Sequence, residues 1–242
     1  MKISIAQIKP IKGDISANIN KHKQMISLAS SLKASAIFFP ELSVTGYEPR
    51  LAEELATDEY DQRFDDFQQI SDTSNITIGL GVPTNSDTGI RITMVIFQPG
   101  RARQMYSKQQ LHADELPFFA PGEKQAIITV DQTKIAPAIC YESLQPAHAD
   151  AAAKMGAEIY LASVAKSQNG VNKAMVHYPE VAKEHAMPVL MANCVGACDD
   201  FVSVGQSSVW TNQGVLLAQL DNENEGLLVF DTETEEVTLQ AV

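Results

Sequence analysis

Three side chains stand where apolar, strand-like runs end. Ala36-Ile37-Phe38-Phe39-Pro40 leads into Glu41, a carboxylate. Ile135-Ala136-Pro137-Ala138-Ile139 leads into Cys140, a thiol in the same relation to its run. Between them, Tyr106-Ser107 leads into Lys108, which closes a run that starts near Ala102. In α/β proteins ligands gather at such strand ends. Singly, each residue has an ordinary reading: a solvated charge for Glu41, a small buried hydrophobe for Cys140, a surface amine for Lys108. Together they supply a nucleophile for carbonyl carbon, a carboxylate able to take its proton, and an ammonium able to hold an oxyanion. An acyl-transfer site requires these parts.

The elements that must position them follow from the hydropathy pattern. Runs 2–8, 36–39, 76–82, 92–98, 126–130, 135–139, 158–163, 188–193, 206–211, 214–220 and 226–231 have strand length. Gly, Pro, Asn or Asp bound them. Ile15, Ile19, Ile26 and Ala29 recur at helix spacing, Met25, Leu28 and Leu32 widen the stripe, and Asp14 is placed to cap the helix. Segments 145–155 and 172–187 also read as helices, and Asn212-Gln213-Gly214 as a hairpin joint. Alternation of strand and helix with hairpin-like pairs predicts an α/β protein with mixed sheets. So many strands exceed one comfortable sheet, which predicts two packed sheets with helices outside.

Composition excludes other classes. The 242 residues carry 18 basic and 30 acidic side chains, a net charge of −12, with 45% hydrophobic and 20% charged residues. These are globular proportions, and one domain spanning 1–242 accounts for the length. The negative balance opposes nucleic-acid and anionic-membrane partners. No apolar run approaches a membrane span, and the amino end is too interrupted for a signal peptide, so a cytoplasmic location is expected. Three cysteines make no disulfide framework.

The alternatives carry weaker signals. His112, His148, His177 and His185 offer partners for a Cys–His site but sit in no recognisable signature, and His148 reads as a surface helix residue. Cys194 and Cys198 lack the further ligands of a zinc site and read as structural thiols. Gly79-Leu80-Gly81 runs into Val82-Pro83 and reads as a strand exit rather than a phosphate loop. Ser207-Ser208 lacks the frame of a nucleophile elbow.

The residues carry a resemblance to the nitrilase superfamily of carbon–nitrogen hydrolases. Phe38-Phe39-Pro40-Glu41, followed by Leu42-Ser43-Val44-Thr45-Gly46-Tyr47, is similar to the family's first motif. Lys108 with Leu111, Glu115, Phe118, Phe119 and Gly122 is similar to the second, and Ile139-Cys140-Tyr141-Glu142 to the third. Asn193 with Gly196, and Gly205-Gln206-Ser207-Ser208 leading to Gly214, extend the agreement over nearly the whole chain. The resemblance implies a four-layer αββα sandwich of two mixed sheets with outer helices, and a homodimer or larger homo-oligomer. It implies Glu41 as general base, Lys108 and the backbone N–H of Tyr141 as oxyanion donors, Cys140 as nucleophile, and Glu115 as the group that positions substrate and lysine. It implies no cofactor and no metal.

The implied substrate is a small linear amide, hydrolysed through a Cys140 thioester with release of ammonia. Cys140-Tyr141-Glu142 in place of Cys-Trp-Glu favours amide over nitrile. An arginine found after the nucleophile in many small-amidase branches is absent; Leu144 and Gln145 follow instead. Lys166 offers a positive charge in its place or a surface amine. An N-carbamoyl amidohydrolase is the alternative, and a non-catalytic binding descendant of the fold a third reading, against which the intact Glu41, Lys108 and Cys140 count.

Overall fold

The computed structural model describes residues 1–58 and 60–242. In chain order the strands are β1 (Lys2–Gln7), β2 (Ala36–Phe38), β3 (Thr77–Ser86), β4 (Gly89–Phe97), β5 (Gln104–Ser107), β6 (Ile128–Val130), β7 (Thr133–Ile139) and β8 (Ile159–Val164). They continue as β9 (Val189–Asn193), β10 (Val195–Cys198), β11 (Phe201–Val204), β12 (Ser208–Trp210), β13 (Leu216–Gln219), β14 (Gly226–Asp231) and β15 (Val237–Ala241). The α-helices are α1 (Ile15–Ser31), α2 (Ala52–Leu55), α3 (Asp65–Ser74), α4 (Pro146–Lys154) and α5 (Gln168–His185). One sheet has the order β15-β14-β1-β2-β3-β4-β5, the other β13-β12-β9-β8-β7-β6, and β10-β11 form a separate hairpin. No helix is long and apolar enough to cross a membrane among the described residues.

Period-two alternation builds the layers. Ile3 and Ile5 of β1, Phe38 of β2, Ile135 and Ile139 of β7, Leu161 of β8 and Leu190 of β9 meet in one core between the sheets. Their neighbours turn the other way. Ile37, Phe39, Ile78 and Leu80 pack under Ile19, Met25 and Ile26 of α1 and Phe67 of α3. Ala136, Tyr160, Ala162 and Met191 pack under Ala149 and Ala152 of α4 and Tyr178 of α5. The result is the expected αββα sandwich of two mixed sheets. Asp14 caps α1 as expected, its carboxylate accepting from the Ala17 N–H at 3.0 Å.

The parallel strands of both sheets deliver their carboxyl ends to one place. β1, β2 and β3 run parallel in the first sheet, and β7, β8 and β9 in the second. Polar contacts join the sheets there. Ser163 Oγ donates to Phe39 O at 2.7 Å, the Val195 N–H to Ile8 O at 2.9 Å, and the Ser207 N–H to Gln7 Oε1 at 2.9 Å.

Gly79 and Gly81 lie inside β3, not at its exit, because the strand runs on through Pro83 to Ser86. Their role is close approach. The Phe39 N–H donates to Gly79 O and the Val44 N–H to Gly81 O, laying the segment that follows β2 along β3. A Cβ on Gly81 would stand 2.4 Å from Leu42 N and 2.6 Å from Pro40 O. From the outside α1 pins the same segment. Asn18 Nδ2 donates to Val44 O at 2.9 Å, and His22 Nε2 lies 2.9 Å from Ser43 Oγ. Burial lowers the His22 pKa to about 4, so the ring is neutral at physiological pH. Substituting Gly81→Ala therefore forces backbone apart beside Glu41. It is expected to cost about 1–3 kcal/mol or more in chemical denaturation, and an unchanged midpoint would refute this close-packing role.

Candidate active site

Cys140 leaves β7 with φ +48 and enters a short 3-10 turn, Glu142–Leu144. A left-handed conformation is uncommon for a residue with a Cβ and must be held by its surroundings. The Cys140 N–H donates to Ser163 O at 3.0 Å, on neighbouring β8. Ser143 Oγ donates back to Cys140 O, and Tyr178 OH lies 2.6 Å from Ser143 Oγ. Glu142 braces the turn on its far side. One oxygen accepts from the Ile139 N–H at 2.7 Å and Tyr106 OH at 2.6 Å, the other from the Gln109 N–H at 2.7 Å. A single buried carboxylate thus ties the turn that carries Cys140 to the segment that carries Lys108.

Lys108 follows β5 directly and is fully buried. Its Nζ donates to Glu41 Oε1 at 2.7 Å and to Glu115 Oε1 at 2.6 Å. Glu115 is held in turn by Tyr47 OH at 2.9 Å and the His112 N–H at 2.7 Å. Burial alone would lower the Lys108 pKa, but the two carboxylates outweigh it and hold the ammonium well above its usual range. Burial pushes Glu41 up to about 7, against the pull of Lys108 and with a further push from Glu115. Glu41 Oε2 is buried and has no hydrogen-bond partner among the described residues. The Cys140 thiol is pushed up to about 12, by burial first and by Glu41 next, with Lys166 and Lys108 opposing. Its Sγ lies 3.6 Å from Ala165 O.

Cys140 opens into a cavity of about 560 Å³ whose walls include Tyr47, His112, Glu115, Tyr141, Lys166 and Phe201. That volume suits a small molecule. Tyr141 packs edge-on against the His112 ring, with centroids 5.2 Å apart, so its side chain forms wall while its backbone follows the nucleophile position.

Of the expected set, Glu115, Cys140 and Tyr141 border the cavity, while Glu41 and Lys108 are buried behind it, Lys108 joined to both Glu41 and Glu115. Lys166 is not a surface amine: only 4% of it is exposed, and its Nζ lies 3.9 Å from Cys140 Sγ. Nor is His148 a surface residue. Its Nδ1 lies 2.8 Å from Tyr160 OH and its Nε2 3.0 Å from Tyr106 OH, and burial lowers its pKa to about 4. No histidine ring is a hydrogen-bond partner of Cys140 Sγ among the described residues, and His185 faces Asp150 instead. Cys194 and Cys198 are buried in the core between the sheets with their sulfurs 3.6 Å apart. Sequence reading missed the bracing by Glu142 and the wall contributed by His177 and Phe201. Glu142 lay in a quoted motif, but only the fold shows what it joins.

The Glu41–Lys108–Glu115 cluster makes a thermodynamic prediction independent of activity. Lys108→Met leaves two buried carboxyls facing each other and is expected to cost about 3–5 kcal/mol in urea unfolding. Adding Glu115→Gln should recover part of that loss through a coupling of about 0.5–3 kcal/mol. A Lys108→Met protein as stable as the parent would refute the buried pairing.

Comparison with known proteins places this geometry. A family model described as carbon-nitrogen hydrolase matches residues 2–241. The glutamine-dependent NAD(+) synthetase of Thermotoga maritima is 25% identical over 249 residues, covering 98% of this chain and 42% of that protein. The chain therefore spans about two fifths of that relative's length. Nitrilase 3 of Arabidopsis thaliana is 24% identical over 274 residues, covering 96% of this chain and 78% of the relative. A variant of the amidase from Nesterenkonia sp. AN1, with acrylamide added at its active site cysteine, has the same fold. It matches with a TM-score of 0.88 and 24% identity over 97% of this chain and 94% of that one. A further variant of that amidase is in complex with butyramide. The match along nearly its entire length makes this chain a member of the carbon–nitrogen hydrolase family.

Proposed function

We propose that the protein hydrolyses the amide of a small linear carboxamide through a thioester on Cys140. The observation that carries this reading is the unpaired Oε2 of buried Glu41, beside Cys140 and held from its other oxygen by Lys108. A carboxylate with one oxygen anchored and one free can accept a proton without moving. The thiol sits too high to be a resting thiolate, so proton transfer to Glu41 accompanies attack of sulfur on the carbonyl carbon.

In this scheme the C–S bond forms as the carbonyl π electrons move to oxygen. Lys108 Nζ and the Tyr141 N–H meet the oxyanion, each such preorganised donor worth about 10²–10³ in rate. Collapse breaks the C–N bond, and the protonated Glu41 gives its proton to the departing ammonia. Water, deprotonated by the same carboxylate, then attacks the thioester, releasing the acid and restoring the thiol. Glu115 holds Lys108 from the other side and borders the cavity. The family membership and the butyramide complex of the structurally similar amidase support an amide substrate. An N-carbamoyl substrate would pass through the same steps and release carbon dioxide besides ammonia.

Two measurements test the scheme. Cys140→Ala is expected to abolish ammonia release from the amide substrate while leaving thermal unfolding close to that of the parent, and the parent alone should show an acyl adduct by intact mass. Retained turnover would remove Cys140 from the mechanism. The second test is the pH dependence of kcat/KM. Glu41 must be ionised to act, and its carboxyl is pushed up to about 7. Activity should therefore fall as pH drops through about 7, rather than through the ordinary carboxyl range near 4. A profile that stays flat down to pH 5 would exclude Glu41 as the base.

A further inference from the structure

Lys166 is a cation that the reaction above does not use. It follows β8 by two residues and is held rigidly. Its N–H donates to Asn193 Oδ1 at 2.8 Å, and its carbonyl accepts from Asn193 Nδ2 at 3.2 Å and Ser203 Oγ at 3.1 Å. Its stem fills space that Gly170 leaves open: a Cβ there would stand 3.1 Å from Lys166 Cβ and 3.2 Å from its Cγ. The ammonium is thus placed at the cavity wall by construction.

What surrounds that ammonium is incomplete. Nζ lies 3.3 Å from Cys140 O and 3.9 Å from Cys140 Sγ, and among the described residues no carboxylate reaches it. Lys108, fully buried, has two. Buried charges in folded proteins are paired, because taking an ammonium out of water is costly. Among the described residues its hydrogen-bond partners are Cys140 O and Sγ, and the cavity is the open side from which a counter-charge reaches it.

The rest of the wall has the same sign. The start of the 18-residue helix α5 borders the cavity through Ser167, Asn169 and Gly170, with no acidic residue in its first turn and no side-chain cap. Lys173, one turn on, borders it as well. A helix amino end and two lysines favour an anion. The wall's carboxylates are engaged elsewhere, Glu115 with Lys108 and exposed Asp114 with His112 Nδ1 at 2.6 Å.

We infer that the acyl group of the amide cleaved here carries a carboxylate of its own, received by Lys166 and the start of α5. This rests on the Cys140 thioester reading and names its substrate class: monoamides of short dicarboxylic acids. Short, because Nζ is so near Sγ that a carboxylate touching it stays within a few bonds of the thioester carbon.

Paired alkylation of Cys140 in the full chain tests this without a known substrate. Iodoacetate and iodoacetamide form the same C–S bond and expel the same iodide, but only iodoacetate brings a carboxylate beside the sulfur. The iodoacetate-to-iodoacetamide rate ratio, followed by mass at the Cys140 peptide, is expected to exceed that of free cysteine by at least about tenfold. Lys166→Met should lower the ratio about 10- to 100-fold. Lys173→Met, on an exposed helix face, should lower it less, and keeps the test open if Lys166→Met does not fold. In hydrolysis, the monoamide of succinic acid should be preferred to butyramide by the parent, and that preference should vanish in Lys166→Met.

A parent ratio equal to that of free cysteine would overturn the inference. So would a Lys166→Met protein that slows both reagents equally and shifts the alkylation pH profile upward, which would assign the ammonium to the thiolate. Ammonia release by Cys140→Ala would instead overturn the thioester reading beneath it.

Discussion

The ammonium of Lys108 between Glu41 and Glu115 is the interaction on which the rest of the site depends. All three groups are removed from water, and the one ammonium is shared by two buried carboxylates that would otherwise repel. Two buried carboxylates alone would repel, and one would hold a proton permanently. Lysine alone would lose its charge to desolvation. Together they settle at a balance in which burial raises Glu41 and Lys108 restrains it, leaving the carboxyl near neutrality. A group poised there exchanges its proton readily at physiological pH, which a surface glutamate does not. The same burial raises the Cys140 thiol, so one physical cause lifts both groups.

Such a cluster needs walls that cannot relax, and the fold supplies them by bringing two sets of parallel strands to a common end. Glu41 hangs from β2, Cys140 from β7, Lys166 from β8 and Asn193 closes β9, while Lys108 arrives on antiparallel β5. Side-chain hydrogen bonds lock these ends to one another within a sheet, as Asn193 does with Lys166, and across the two sheets. Ser163 reaches Phe39, and Glu142 reaches Gln109. Gly81 lets the Glu41 segment lie against β3 at a distance that any Cβ would forbid. The positive φ of Cys140 belongs to the same economy: an unfavourable backbone conformation is retained because Ser163, Ser143 and Glu142 over-determine it.

How much of this was legible in the sequence varies with how local the cause is. The central strands β7, β8 and β9 were plain because buried parallel strands read as unbroken apolar runs. α1 was plain because its apolar stripe and Asp14 cap agree. β10 and β11 were missed, since Gly196 and the Asp199-Asp200 turn read as loop, and β15 was missed because an exposed edge strand shows little apolar alternation. α3 buries little beyond Phe67 and Ser71, so its sequence looks like a polar loop. At the site, Glu41, Lys108 and Cys140 stand out by residue type at strand ends, and Glu115 only by its place in a motif that resembles the family's. Lys166 and His148 do not, because their burial is decided far along the chain. Gly170 and Asn193 make room for the first and hold its backbone, and Tyr106 and Tyr160 satisfy the second.

Charge shows why those distant decisions matter more at the cavity than composition does. A net −12 sets up a field that disfavours anions at long range. Exposed charges farther than about 8 Å are largely screened at physiological ionic strength, whereas buried ones are not. An anion entering the cavity therefore responds chiefly to Lys166, Lys173 and the amino end of α5, and little to the acidic exterior. Read from composition, the protein is acidic and should avoid negative partners. Beside Cys140 it presents the buried ammonium of Lys166, which no carboxylate reaches among the described residues. The local reading prevails, because desolvated charges at contact distance outweigh many screened ones, and selection of a ligand is made where the ligand is dry.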